Sequence, residues 1–337
     1  MKKLSSLIAL VLVFALSGAA LADDIPATSL NVVGDHFNIS LFAGSIPENT
    51  ATGAALALMA EYINKNSGGT ITAEAFYDTA LGDATSMVQG LQQGTVDVGV
   101  SGTSYFSGLT PEVDVYQLPF LFSDLASARV NTASNSESCK AIFEKLEKKG
   151  VIGLAFWENG FRELTNNVRP IEKPDDMIGI KMRTLPAPTQ VATWEAMGAL
   201  TTQIDAAELY TALQQGTVQA QDNPLHEIVA RALYEVQPYV TLTDAVYTPF
   251  LMGMSKVTYD AMSESQQKLM KEAAVWAREQ QIAITDKNQA TAKQTLLDNG
   301  CKIVENPDKA AFQAKAMASW KLFTDNYGTA VLDLIKK

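Results

Sequence analysis

Two cysteines and two histidines in 337 residues leave little material for a disulfide scaffold, a zinc centre or a histidine-based catalytic apparatus. Arginine is scarce too, at six of the 26 basic residues. The formal charge is −11 and no long basic run appears, so a phosphate-backbone footprint is missing and nucleic acid is not an expected partner. There is no G-x-G-x-x-G, no P-loop lysine and no G-x-S-x-G elbow, which removes the usual signatures of dinucleotide, nucleotide and serine-hydrolase chemistry. What is there is ordinary globular composition, 47% hydrophobic and 19% charged, in a length that suits two α/β domains.

The first residues carry an address. Lys2 and Lys3 precede an apolar run from Leu7 to Leu16, then Ala20-Leu21-Ala22. A basic start, a short apolar stretch and an A-x-A site make residues 1–22 an expected secretory signal peptide, with the mature chain starting near Asp23 in the periplasm. The run is too short to span a bilayer, and no later stretch is long enough. Removing the two lysines takes the charge to 24 − 37 = −13. Nothing in the sequence brings Cys139 and Cys301 together, so two separate buried thiols are expected.

Apolar periodicity predicts a strand at Phe37–Ala43, a helix at Thr50–Lys65, a strand at Thr70–Phe76, a helix at Ala84–Gln93 and a strand at Val96–Val100. That alternation implies parallel pairing through helical crossovers. The string Leu91-Gln92-Gln93-Gly94-Thr95-Val96 recurs as Leu213-Gln214-Gln215-Gly216-Thr217-Val218, a helix meeting a glycine with a strand at once after it, and suggests two related lobes. A further strand is expected at Val151–Ala155, and the second lobe, from about Phe156, is expected to hold strands at Ile178–Arg183 and Val218–Ala220. Its helices are placed at Ala187–Met197 and at Ala206–Gln215, the latter capped by Asp205 with Glu208 three residues on. Thr248–Lys256 reads as a strand returning to the first lobe. Ser263-x-x-Gln266 opens a helix running to Asn299, with Leu269, Ala273, Trp276 and Ala283 as its apolar stripe. The lobes are expected at 23–155 plus about 245–288, and at about 156–244 plus 289–337.

Three of the six arginines fall close together, at Arg162, Arg169 and Arg183. Ligands of open parallel sheets bind beyond the carboxyl ends of strands, where helix N-termini also offer N–H groups to an anion. Arg183 ends its strand there, and its planar fork suits a carboxylate. Arg169, in Asn166-Asn167-Val168-Arg169-Pro170, reads as a surface ion pair. Asn223-Pro224 reads as a helix N-cap with proline at the first helical position, and its amide is also placed to meet a ligand oxygen. The Ser101-Gly102-Thr103-Ser104-Tyr105 loop occupies the matching place in the first lobe. The repulsion of anions by a charge of −13 is screened beyond a Debye length of about 8–10 Å, so one guanidinium in a closed cleft decides the matter locally. Neither His36 nor His226 has a recognisable nucleophile context.

Gly179-Ile180-Lys181-Met182-Arg183-Thr184, Glu208-Leu209-Tyr210, Leu213-Gln214-Gln215-Gly216 and Gln221-Asp222-Asn223-Pro224 closely resemble one family, as do Leu118-Pro119-Phe120-Leu121-Phe122 and Gly160-Phe161-Arg162. It is the extracytoplasmic solute-binding subunit of tripartite ATP-independent periplasmic (TRAP) transporters, of the dicarboxylate-binding DctP type. The resemblance implies a two-lobe α/β periplasmic solute-binding fold, each lobe a mostly parallel sheet flanked by helices, with a long helix across both. It implies hinge closure on an organic acid such as a C4-dicarboxylate or sugar acid, delivery to membrane permease subunits for ion-driven uptake, no cofactor and no catalysis. Arg183 would grip the ligand carboxylate, with Arg162 and Asn223 beside it. Ser45, Ser101, Tyr105 and Trp157 complete the expected lining. Some members of that family carry an aromatic two residues before the Glu of Glu-x-Tyr; that position is Ala206 here, which implies a pocket that is locally wider or differently shaped. The competing readings are a receptor presenting its ligand to a signalling partner and, further off, a periplasmic hydrolase.

Overall fold

The computed structural model describes residues 25–336, so the expected signal peptide lies outside the described residues. The first elements are β1 (Phe37–Gly44), α1 (Ala51–Asn66), β2 (Ile71–Asp78), α2 (Ala84–Gln93), β3 (Val98–Gly102), α3 (Leu125–Asn131) and α4 (Glu137–Glu147). Next come β4 (Val151–Asn166), β5 (Lys181–Thr184), α5 (Pro188–Glu195), β6 (Leu200–Gln203), α6 (Leu209–Gln214), β7 (Ala220–Asn223) and α7 (Leu225–Ala230). The chain ends with β8 (Tyr239–Ser255), α8 (Lys256–Ala261), α9 (Glu264–Asp298), β9 (Lys302–Val304) and α10 (Lys309–Tyr327).

Nine strands form one hydrogen-bonded sheet in the order β2-β1-β3-β8-β4-β7-β5-β6, with β9 on β8. The β2-β1-β3 set is parallel, as its crossover pattern requires, and so is β7-β5-β6. Between them β4 and β8 run antiparallel through both lobes, so the two sheets are continuous. Both strands are longer than the sequence pattern suggests, at 16 and 17 residues. The glycine and polar residues of Glu158-Asn159-Gly160 break the apolar run without ending the strand, because a bulge there absorbs the mismatch. Arg162 therefore sits within β4, not beyond it.

The repeated hexapeptide folds alike in both places. Gly94 and Gly216 take φ of 78° and 72°, the left-handed region that glycine enters at little cost. The Thr95 and Val96 N–H groups donate to the Gly90 carbonyl, and those of Thr217 and Val218 donate to Ala212. These turns postpone β3 and β7, each of which begins two residues after the repeated valine. Two other expectations need correcting. The second-lobe helix starts at Leu209 without a side-chain cap, because Asp205 turns its carboxylate to the Ala207 N–H instead. Asn223 closes β7, and Pro224 takes the cap position of α7.

The Ser263–Gln266 capping box opens α9 as expected. Its 35 residues contain no glycine or proline and extend about 50 Å. Leu269, Ala273 and Ala277 enter the first-lobe core with Leu41, Leu56 and Ile63, whereas Ala292 and Leu296 enter a second-lobe core with Leu213 and Ile228. The expected stripe fails in the middle, where Ala283 is exposed and Arg278, Gln281 and Thr285 are buried instead. These polar side chains serve the β4 backbone. Arg278 Nε donates to the Phe156 carbonyl at 2.9 Å, and Gln281 bonds both the N–H and the carbonyl of Glu158. In α10, Phe312 and Ala316 pack on Trp194 of the second lobe, but Phe323, Val331 and Ile335 return to the first-lobe core, so the tail is shared. Cys139 and Cys301 are free and buried in different cores.

Asp114, buried in the 3₁₀ turn Pro111–Gln117, accepts from Ser107 and leaves Oδ2 without a partner. Burial pushes its pKa from 3.8 to about 7. Its folded value exceeds its unfolded one, so its stabilising protonation is complete below pH 3.8 and is lost as pH rises through about 7. The difference in unfolding free energy between wild type and Asp114→Asn should therefore fall by a few kcal/mol between pH 4 and pH 8. Urea titrations at both pH values check this, and a pH-independent difference would refute it.

Candidate functional site

A small cavity lies where β4 and β8 cross between the lobes. Its walls hold Ser45, Ser101 and Tyr105 from the first lobe, Arg162 and Asn159 from β4, and Arg183, Asn223, Glu227 and Arg231 from the second. The strand ends and the Gly160 bulge, at φ 120°, bring these groups to one level. All the expected lining residues reach the cavity except Trp157. Its side chain is fully buried in the first-lobe core, with its indole N–H donating to the Ala274 carbonyl of α9 at 3.0 Å. Trp157 is a packing residue, held in that core beside its β8 register partner Phe250.

The three cavity guanidiniums are in different states. Arg162 is paired, its Nε donating to Asp222 Oδ2 at 3.0 Å with both side chains almost wholly buried. Gln190 Nε2 donates to the same carboxylate at 3.3 Å. Arg231 Nε donates to Glu227 Oε2 at 2.8 Å, and its terminal nitrogens reach the Ala206 and Ser45 carbonyls. Arg183 has no carboxylate. Its Nε donates to the Ile204 carbonyl at 2.9 Å, while Nη2 is buried without a partner. Burial lowers the pKa of Arg183, and the nearby Arg162 and Arg231 add repulsion, although an arginine stays protonated. A desolvated cation with an idle donor is the group a ligand anion would complete.

The lobes also touch. Arg231 bridges to Ser45, the Asn49 amide donates to the Ala230 carbonyl, and the Tyr105 hydroxyl accepts from the Ala206 N–H at 3.1 Å. At Ala206, which has no ring of its own, the Tyr105 phenol comes up to the backbone. Burial pushes the Tyr105 pKa up to about 12, so the phenol stays a donor. The Ser101 hydroxyl donates to the Gly44 carbonyl, and the Ser45 hydroxyl accepts from the Ala84 N–H. Asn223 donates to Gln221 Oε1. Arg169 is exposed and lies away from the cavity, donating to the Asp176 and Ile178 carbonyls, not to an acid. His226 is buried against the Asn159 carbonyl, and His36 is exposed beside Gly69.

Sequence reasoning missed Arg231, Glu227, Gln117 and Asn159. Glu227 and Arg231, spaced i, i+4 just after Asn223-Pro224, carried a signal: an ion pair on a helix that starts at the cleft. A larger open groove, about 950 Å³, lies on the other side of the β4 bulge. Five acidic side chains line it against one lysine, Lys309, already paired with Asp244, so it is a poor host for an anion.

Two α/β lobes joined by long strands, with a buried, partly unpartnered arginine in the cleft, define the class of extracytoplasmic solute-binding proteins. Residues 42–326 match the family model DctP, bacterial extracellular solute-binding protein, family 7. The chain belongs to this family, which serves transport and is not an enzyme family. A solute-binding protein of Verminephrobacter eiseniae is 33% identical over 292 residues, 87% of each chain. The fold matches a TRAP periplasmic solute-binding protein of Polaromonas sp. JS666 bound to D-erythronate, with a TM-score of 0.84, 29% identity and coverage of 89% and 98% of the two chains. It also matches the sugar-acid-binding protein of Advenella mimigardefordensis in complex with galactonate, with a TM-score of 0.84, 31% identity and coverage of 89% and 98%.

Proposed function

We propose that this chain captures an organic acid between its lobes and hands it, chemically unchanged, to the membrane permease of a TRAP transporter. The observation that carries this is the Arg183 guanidinium, buried with Nη2 unpaired. In this reading the ligand carboxylate takes the end of that fork. Arg162, Asn223, Tyr105, Ser101 and Ser45 shape the remainder. Residues 23–155 plus about 245–288 act as one lobe and about 156–244 plus 289–337 as the other, the tail from Phe323 packing back on the first, with β4 and β8 as the hinge. Residues 1–22 act as the export signal and are removed in the periplasm. The relatives of known structure hold D-erythronate and galactonate, both carboxylates, which supports an acid as ligand.

Arg183→Lys keeps the charge but loses the planar fork, and should weaken acid binding by about ten-fold or more. Isothermal titration with a panel of aldonates, uronates and dicarboxylates reads this directly. Unchanged affinity for whichever acid binds would remove Arg183 from the clamp.

A further inference from the structure

The cavity's charges are nearly balanced. Asp222 neutralises Arg162 and Glu227 neutralises Arg231, so among these five groups Arg183 supplies the one uncompensated positive charge. That is enough for one carboxylate. Each of the three nitrogens of Arg231 already donates within the protein, to Glu227, Ala206 and Ser45, and its charge is met by Glu227.

The other idle groups are acceptors. Glu227 Oε1 is buried at the cavity wall without a hydrogen-bond partner, and so are the amide oxygens of Gln117 and Asn159. An amide can turn its other end to a ligand, but a carboxylate cannot become a donor without taking up a proton. Burial alone would raise the Glu227 pKa, yet Arg231 and the other nearby positive groups hold it below the usual carboxylate range. Glu227 therefore remains an anion that needs a donor from the ligand.

We infer that the acid bound here is a hydroxylated monocarboxylate of the aldonic or uronic type, with Glu227 accepting from its hydroxyls and turning dicarboxylates away. This deepens the function proposed above and rests on Arg183 holding the carboxylate. A second carboxylate would meet Glu227 with like charge and no proton to give. An unhydroxylated chain would leave buried acceptors unpaired, and a site built for hydroxyls discriminates strongly against ligands that lack them.

The test is titration calorimetry of the purified protein with D-erythronate, D-galactonate and D-glucuronate, against succinate and butyrate. At least one hydroxylated acid should bind about 100-fold or more tightly than either simple acid. Glu227→Gln keeps size and an acceptor oxygen but removes the charge, and should narrow the preference over succinate by about ten-fold. Succinate binding as tightly as every hydroxylated acid, or an unchanged preference in Glu227→Gln, would overturn the inference and leave the Arg183 clamp intact. Should Glu227→Gln not fold, the comparison of D-erythronate with butyrate on the wild type decides. If no acid binds, or if Arg183→Lys leaves binding untouched, the underlying function itself fails.

Discussion

Arg183→Met should raise the dissociation constant for the ligand acid by two to three orders of magnitude while making the ligand-free protein more stable. The two effects share one cause. A buried cation without a counter-ion is held against its own desolvation penalty, and an apolar side chain of similar length removes that penalty, for a gain of about 1–4 kcal/mol. The Ile204 carbonyl loses its Nε donor, at a cost of about 1 kcal/mol, which leaves the balance favourable. In a chain of this size the net gain corresponds to a rise of several degrees in melting temperature. Binding moves the other way because removing one partner of a desolvated charge pair costs roughly 3–5 kcal/mol. Calorimetry on the same preparation reads both quantities. A ligand-free variant that melts below wild type, or an affinity within a factor of a few, would show that Arg183 is a structural cation.

Asp222→Asn carries the opposite prediction. Arg162 is as deeply buried as Arg183, but it has its counter-ion, 3.0 Å away. Neutralising Asp222 strands the guanidinium and should destabilise the fold by about 3–5 kcal/mol, lowering the melting temperature by roughly 10 °C. The double change Arg162→Met with Asp222→Leu should recover most of this, since a well-packed apolar pair is often no worse than the ion pair it replaces. If the double variant is as unstable as Asp222→Asn, geometry and not charge is what the pair supplies. The two arginines lie in one cavity, and what separates them is that Arg162 has its carboxylate while Arg183 would take its own from the proposed ligand.

Much of the architecture was legible because local chemistry and global packing agree. The Ser263 capping box, the left-handed glycines of the duplicated hexapeptide and the parallel crossovers of the first lobe all follow from short-range pattern. The failures share a different cause. The bulge at Glu158–Gly160 keeps β4 going through a stretch that reads as a strand end, and its extra residue decides which side chains face the cleft. Trp157 lies just ahead of that bulge, in the part of β4 that packs against α9, so it joins the first-lobe core. Ala283 was misplaced because the centre of α9 answers to the polar backbone of that bulge and not to a hydrophobic neighbour. At the cavity, single residues such as Arg183 could be proposed from strand ends. The pairing of Arg162 with Asp222 and of Arg231 with Glu227 depends on elements brought together by the sheet.

The long helix has a mechanical consequence. Its first half is embedded in one core and its second half in another, and between them Arg278 and Gln281 are fastened to the backbone of β4. An uninterrupted run of i to i−4 bonds resists bending but tolerates rotation about its axis and slight sliding at its ends. The lobes are thus held at a constant span, like jaws pinned to one axle. Under the proposed function, capture of a guest would narrow the mouth through torsion of β4 and β8 and leave the molecule's long dimension almost unaltered.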